Sequence, residues 1–307
     1  MHRITIAGRE IGADRPPYVI AELSANHNGS LDRATAIIDA AKAAGADAIK
    51  LQTYRADTIT IDHDGPEFVL HGGLWDGRRL YELYQDAAMP WDWHKPLFDH
   101  ARTIGITIFS SPFDATAIDL LQSLGAPAFK VASLEMADLP LIKRMAATGK
   151  PLIMSTGASE LSDIADAVAA ARAGGCKEIM LLQCTSGYPT PPADSNLKTI
   201  ANLGETFDCV VGLSDHTMGT AVPVAAVALG ACAIEKHFTL RRADGGVDSA
   251  FSLEPEELAR LTADCRTAWE AIGHVSYGVA GSEKSIRALR RSLYVVKDIA
   301  AGEKLTD

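Results

Sequence analysis

The chain has 307 residues, 47% of them hydrophobic and only 6% aromatic, with 39 acidic against 29 basic side chains and a formal charge of −10. That length allows one large domain or two ordinary ones around a sizeable core, and a pI near 5.4 gives no overall footprint for nucleic acid or an anionic membrane. No apolar run approaches the roughly 18 to 20 residues that cross a bilayer, and the start reaches Arg9 and Glu10 before a signal-peptide core can form, so a soluble, cytoplasmic protein is expected.

Five cysteines, Cys176, Cys184, Cys209, Cys232 and Cys265, are odd in number, widely spaced and without a CxxC. They read as thiols in a reducing compartment and exclude a disulfide framework or a cysteine-rich zinc site.

From Tyr18 onward, short β-rich runs alternate with Ala/Leu-rich helical stretches. Strands are predicted at 18–25, 48–54, 106–111, 128–133, 152–156, 179–185, 210–215 and 233–239. Helices fit between and after them at 31–44, 92–104, 114–123, 138–147, 160–174, 196–206, 219–229 and 255–271. Ser30 and the string Ser159-Glu160-Leu161 are start signals. Gly45, Gly105, Gly125, Gly149, Gly174 and Gly230 stand where left-handed caps are needed. Eight βα repeats over roughly 250 residues is the arithmetic of a (β/α)8 TIM barrel. A doubly wound sheet is the alternative, but the first strand runs into Asn26-His27-Asn28-Gly29 rather than a GxGxxG turn.

Two stretches fall outside the repeat. Residues 55–90 form a long insertion, expected to be a lid or specificity element. Residues 1–274 are assigned to the barrel, and 275–307 to a Gly/Ser-rich linker that leads into a new β pattern at 292–296. About thirty residues cannot complete a domain without staples.

Reactive groups of a barrel sit where its strands end. His216 and His237 end adjacent strands, so an inward pair could chelate one divalent ion such as Mn²⁺, Co²⁺ or Zn²⁺, or be hydrogen-bonded structural histidines. Lys50 and Lys130 end two further strands. Each is a Schiff-base candidate, a point charge for a carboxylate or phosphate, or a cation saturated by Glu22, Glu135 or Glu235. Ser111, Ser133, Ser155, Ser186 and Ser214 form a ring of hydroxyls suited to phosphate, although Ser110 or Ser155 could serve as helix caps. Glu22, Glu135 and Asp248 are acid/base candidates or counter-ions. Cys184 is a weak candidate nucleophile, lacking an obvious basic partner. Trp75, Trp91 and Trp93 either stack on a ligand or pack the insertion. No Gly-x-Ser-x-Gly elbow points to serine chemistry.

The strand-end strings form a recognisable ensemble: IAELSANHNGS (20–30), AIKLQTY (48–54), FSSPFD (109–114), FKVASLE (129–135), PLIMSTG (151–157), CTSGYPTP (184–191), GLSDHT (212–217) and EKHFT (235–239). Together they resemble the sialic acid synthase family, which condenses phosphoenolpyruvate with an N-acylated hexose to give nine-carbon 2-keto acids. The insertion string at 71–94 and GVDSAFSLEP at 246–255 look like the pseudaminic acid branch, whose sugar is 2,4-diacetamido-2,4,6-trideoxy-L-altrose. Neuraminate and legionaminate synthesis are the sister readings.

The resemblance implies a metal at His216 and His237, Mn²⁺ with Mg²⁺ or Co²⁺ as alternatives. It implies a phosphoenolpyruvate pocket of Lys50, Ser111, Lys130, Ser133, Ser155, Ser186 and Ser214. Gln52, Tyr188 and Glu235 would lie by the sugar, with Glu22, Glu135 and Asp248 as catalytic carboxylates and Glu135 leading. Neuraminate synthases carry Asn where this chain has Ser186. Residues 290–307 resemble the opening of a small antifreeze-like (SAF) domain, which in the family reaches across a homodimer and brings an arginine to the partner's sugar site. The string stops before that arginine. A metal-free Schiff-base aldolase or lyase, and an inactive sugar-binding barrel, are the readings from other classes.

Overall fold

A computed structural model describes residues 2–305. The described chain divides into a compact unit ending at Ile272 and a second unit beginning at Gly273.

The first unit opens with a hairpin, β1 (Ile4–Ile6) and β2 (Arg9–Ile11), paired Ile6 to Arg9. Its two-residue turn, Ala7-Gly8, has φ of 49° and 81°, the doubly left-handed turn whose twist suits a tight hairpin. Eight parallel strands follow: β3 (Tyr18–Glu22), β4 (Ala48–Thr53), β5 (Thr107–Pro112), β6 (Phe129–Val131), β7 (Leu152–Ser155), β8 (Ile179–Cys184), β9 (Val210–Asp215) and β10 (Ala233–His237). They close in sequence order, with β10 pairing back onto β3. The helices are α1 (Leu31–Ala43), α2 (Ala56–Ile59), α3 (Leu80–Ala87), α4 (Trp91–Ile104), α5 (Ala115–Ser123), α6 (Leu139–Ala146), α7 (Leu161–Ala173), α8 (Thr199–Phe207), α9 (Ala221–Ala228) and α10 (Pro255–Ile272). The expected (β/α)8 barrel is therefore present, with every strand within a few residues of its predicted bounds.

Successive strand residues face opposite ways, and the two sets form separate cores. One set, including Val19, Ile49, Ile108, Met154, Leu181 and Ile234, packs under the helices. The other, including Ile20, Phe109, Ile153, Met180 and Leu182, fills the barrel and joins Ile4, Ile6 and Ile11 of the hairpin. The hairpin thus plugs the barrel's lower end. Burying each isoleucine is worth roughly 1.5–3 kcal/mol relative to exposure.

Ser30 caps α1 by accepting from the Arg33 N–H at 3.2 Å, as its position predicted. Five of the six glycines predicted to be left-handed caps have positive φ; Gly174 does not, and Gly175 takes that conformation at 98°. Gly174 is small for another reason. A Cβ there would lie 2.7 Å from the Ala146 Cβ and 2.9 Å from the Lys143 carbonyl.

The insertion is ordered into α2, α3, two short 3-10 turns and an antiparallel bridge between Val69 and Arg79. The second unit contains a 3-10 turn (Gly281–Glu283) and the one-turn α11 (Lys284–Arg287). Among the described residues no strand forms at 292–296, contrary to the pattern, and Leu293 and Val296 are fully exposed. A lone β-prone run has no partner edge to complete its hydrogen bonds.

Gly212, on the inward face of β9, is a packing constraint. A Cβ would come within 2.5 Å of the Ala233 carbonyl and 2.7 Å of Leu182 Cδ2. Gly212→Ala should destabilise the barrel by about 1–3 kcal/mol, read as a lower urea midpoint with unchanged slope.

Candidate active site

Above the apolar filling, the inward positions turn polar at one level. Glu22, Lys50, Ser111, Lys130, Ser155, Cys184, Ser214 and Glu235 are all buried there. The Lys50 ammonium pairs with Glu22, lies 3.9 Å from Glu235 Oε2 and donates to Ser111 Oγ at 3.4 Å. The Lys130 ammonium donates to Ser155 Oγ at 2.7 Å and the Val131 carbonyl at 3.2 Å, and lies 3.7 Å from Glu235 Oε1. Ser214 Oγ donates to that same Glu235 oxygen at 2.9 Å.

Burial drives these groups toward neutrality and their neighbours oppose it. Burial raises the Glu22 carboxyl to about 7 despite Lys50. Glu235 goes the other way, because Lys130 and Lys50 together outweigh burial and hold it below the ordinary value. Lys50 is raised by its two carboxylates against the pull of burial. Lys130 is lowered by burial, assisted by the Lys50 charge. Glu235 Oε2 accepts no hydrogen bond.

Beyond β9 and at the end of β10, the rings of His216 and His237 have centroids 5.3 Å apart. His216 Nδ1 lies 3.0 Å from the Thr185 carbonyl. A carbonyl only accepts, so Nδ1 carries a proton, and in the neutral ring Nε2 keeps its lone pair. His237 Nδ1 is buried without a hydrogen-bond partner, 3.9 Å from Asp248 Oδ2. Burial, then His216 and the nearby lysines, hold His237 neutral. Two imidazoles with free nitrogen suit a borderline divalent ion. Among the described residues no set of three or more His, Cys, Asp or Glu forms a metal cluster, so the remaining coordination positions would fall to substrate and water.

Next to the histidines opens a cleft of about 360 Å³. Its polar floor comprises Ser24, Gln52, Ser133, Glu135, Ser186, Tyr188, His237 and Asp248. Ser24 Oγ donates to Asp248, and the Tyr188 ring lies 4.4 Å from His216 and 5.2 Å from Phe251. Burial raises the Glu135 carboxyl to about 7. A Cβ on Gly157 would collide with Ser186 Oγ and lie 2.7 Å from Ser133 Oγ, so the missing side chain leaves room between two hydroxyls.

All fifteen site residues singled out in the sequence lie at this end of the barrel, but at two depths. The lysines, Glu22, Glu235, Ser111, Ser155 and Ser214 form the inner layer, while Gln52, Ser133, Glu135, Ser186, Tyr188 and Asp248 line the cleft. Ser110 and Ser155 are not caps: the first pairs with Thr53 Oγ1 at 2.7 Å and the second accepts from Lys130. Trp75 lines the cleft. Trp91 packs under Arg55 and Trp93 against His27. Sequence reasoning did not single out Ser24, whose φ of 46° has no compositional signal, nor Tyr54 and Phe113, which line the cleft with rings 5.2 Å apart. A separate recess of about 520 Å³ by the hairpin is lined by Arg9 and Arg15, which are already paired with Asp47 and Glu10.

Known proteins are similar to this chain along most of its length. Identity is 42% to a pseudaminic acid synthase of Helicobacter pylori, covering 95% of this chain and 86% of that protein. It is 39% to an N,N'-diacetyllegionaminic acid synthase of Campylobacter jejuni, covering 93% and 86%. The crystal structure of N-acetylneuraminic acid (sialic acid) synthetase from Leptospira borgpetersenii serovar Hardjo-bovis, in complex with citrate, superposes with a TM-score of 0.82. It is 31% identical and covers 95% of this chain and 97% of its own. The NeuB family model matches residues 37–277, from the first barrel helix to just past the last, and the chain belongs to the NeuB family.

Proposed function

We propose that the chain is a pseudaminic acid synthase, condensing phosphoenolpyruvate with 2,4-diacetamido-2,4,6-trideoxy-L-altrose and water and releasing phosphate. The observation that carries this reading is the buried pair of ammonium groups beneath a polar cleft with two imidazoles at its edge. The likeness to synthases of this branch selects the sugar.

Lys130 and Lys50 supply positive charge without making the whole protein basic, and Ser133, Ser155 and Ser186 supply hydroxyl donors for phosphate and carboxylate oxygens. His216 and His237 would hold a divalent cation, Mn²⁺ with Mg²⁺ or Co²⁺ as alternatives, which when bound supplies Lewis acidity toward the sugar aldehyde. Carbon 3 of phosphoenolpyruvate forms the new bond to the aldehyde carbon, and water adds at carbon 2. Glu135 takes the proton of that water as it adds, with Glu22 the second candidate, and phosphate leaves by C–O cleavage. Asp248 and Gln52, on the cleft floor, orient the sugar hydroxyls. A cytoplasmic homodimer belongs to the same reading and is supported by the resemblance alone.

The test is phosphate release from phosphoenolpyruvate with Mn²⁺, supplying each candidate sugar in turn. Release with the altrose derivative that is lost on chelation is expected. Release only with a mannose-type sugar would move the chain to a sister branch.

Gly157→Ala should raise the KM for phosphoenolpyruvate at least tenfold with little change in Tm, because the nearest atoms to the added methyl are the two hydroxyls and, at 3.2 Å, the Cys184 sulfur, none of them backbone. An unchanged KM would remove those serines from the pocket.

A carboxyl titrating at about 7 gains its working carboxylate form as pH climbs through that value, so turnover should rise from pH 6 to 8. Glu135→Gln should lower the plateau by about 10²–10⁴ and abolish the rising limb. A limb that survives the substitution would assign it to Glu22.

A further inference from the structure

The cleft joins two surfaces of opposite chemistry. Its carboxyl, imidazole and amide groups all come from strand ends and the loops that follow them, beside the apolar Phe113, Leu134 and Val247. Its facing wall comes from the insertion at 55–90, which carries ten Asp, Glu, Lys and Arg residues. Among the described residues none of those ten lines the cleft; Ile59, Leu70, Trp75, Leu80, Leu83 and Tyr84 do. The charges pair with one another instead: Arg79 lies 2.5 Å from Asp62 and 3.0 Å from Glu82, and Arg78 lies 2.6 Å from Asp86.

The wall is held in place before any ligand arrives. The Leu70 N–H donates to the Arg78 carbonyl at 2.9 Å, and the Gly77 N–H donates to the Leu70 carbonyl at 2.8 Å. The Trp75 indole N–H donates to the Val247 carbonyl at 3.0 Å, which ties the insertion to the loop after β10 and leaves that indole no donor for a ligand. His27 accepts from the Gly29 N–H at Nδ1, so Nε2 carries the proton and donates to the Ala87 carbonyl at the end of α3 at 3.3 Å. The wall's one hydroxyl, on Tyr84, is close enough to Glu135 for that charge to add to burial in raising its pKa.

We propose that this wall determines sugar specificity by receiving the methyl-terminated end of a 6-deoxyhexose and rejecting a hydroxyl at that carbon. The inference rests on the function proposed above, which sets the aldehyde end of the sugar by the histidines, and it adds that the far end of the sugar chain extends across the same cleft to the insertion residues that line it. A hydroxyl pressed against Leu80 and Leu83 loses its water and gains no partner. A methyl group buries apolar surface at the same place. An apolar pocket of this kind separates two substrates differing by one hydroxyl by about 10²-fold.

The experiment compares kcat/KM for the altrose derivative and for its 6-hydroxy analogue in the wild type and in two variants, Leu80→Ser and Ile59→Thr. Both positions are half-buried, so folding survives the change, and Tm and the KM for phosphoenolpyruvate serve as controls. The wild type should prefer the deoxy sugar by about 10², and each variant should cut that preference tenfold or more. An unchanged preference in both folded variants, or a wild type indifferent to the hydroxyl, overturns the inference. Two results keep it separate from the function it rests on. Turnover of a stereoisomeric 2,4-diacetamido-2,4,6-trideoxyhexose instead of the altrose form removes that assignment and supports the wall. Turnover of the altrose form with an unmoved ratio in the variants removes the wall and leaves the assignment.

Discussion

Two ammonium groups and two carboxylates lie at one level inside a closed barrel, all four of them buried. An unpaired ion in such a place costs several kcal/mol even after relaxation, so Lys50, Lys130, Glu22 and Glu235 are stable only as a set. Their pairing depends on strand register: Glu22 stands directly opposite Lys50, and Glu235 opposite Ser214. A slip of one residue would turn any of them out toward the helices. The charge layer therefore does more than wait for a ligand. It penalises every misregistered barrel that the apolar residues alone would tolerate.

That layer also divides the site by depth. Under the proposed function, an anion small enough to pass the cleft floor would meet cations whose charge is already shared with Glu22 and Glu235, so binding would be an exchange of partners rather than a capture by bare charge. In the proposed reading Glu22, which burial holds well above the ordinary carboxylate range, would take up a proton as an anion enters and so release its hold on Lys50. The cleft above is a different medium, with its charged groups on one side and aliphatic and aromatic side chains on the other. The histidines stand at the boundary between the two regions.

Most of this was legible in the sequence because period-two alternation sorts a strand's residues unambiguously. Residues two apart on a strand share a face, which puts Lys50 with Gln52, Ser214 with His216 and Glu235 with His237, and all six stand at the cleft end of the barrel. The same parity explains Asp215 and Lys236, also at strand ends, which pair with each other on the outer side with the Thr217 carbonyl as a further acceptor. The hairpin was not legible, because three-residue strands joined by Ala-Gly carry too little pattern to exceed local noise. The insertion was visible as a length anomaly and as a candidate specificity element. Which of its apolar residues face the cleft was not visible, since an aperiodic segment gives no face to read. The β-rich run near the end shows the converse, a strong local preference with no partner strand among the described residues.

The hairpin at the lower end has a bearing on the chemistry at the upper end. Ile4, Ile6 and Ile11 close the barrel's axis to solvent, and a closed axis is what keeps the medium around the four charges poorly polarisable. With water admitted from below, the field between Lys50 and Glu22 would be screened and the burial that raises Glu22 would fade. Residues 4–11 lie at the far end of the barrel from the cleft and share the apolar core beneath the charges, so they act as the insulation of the chamber.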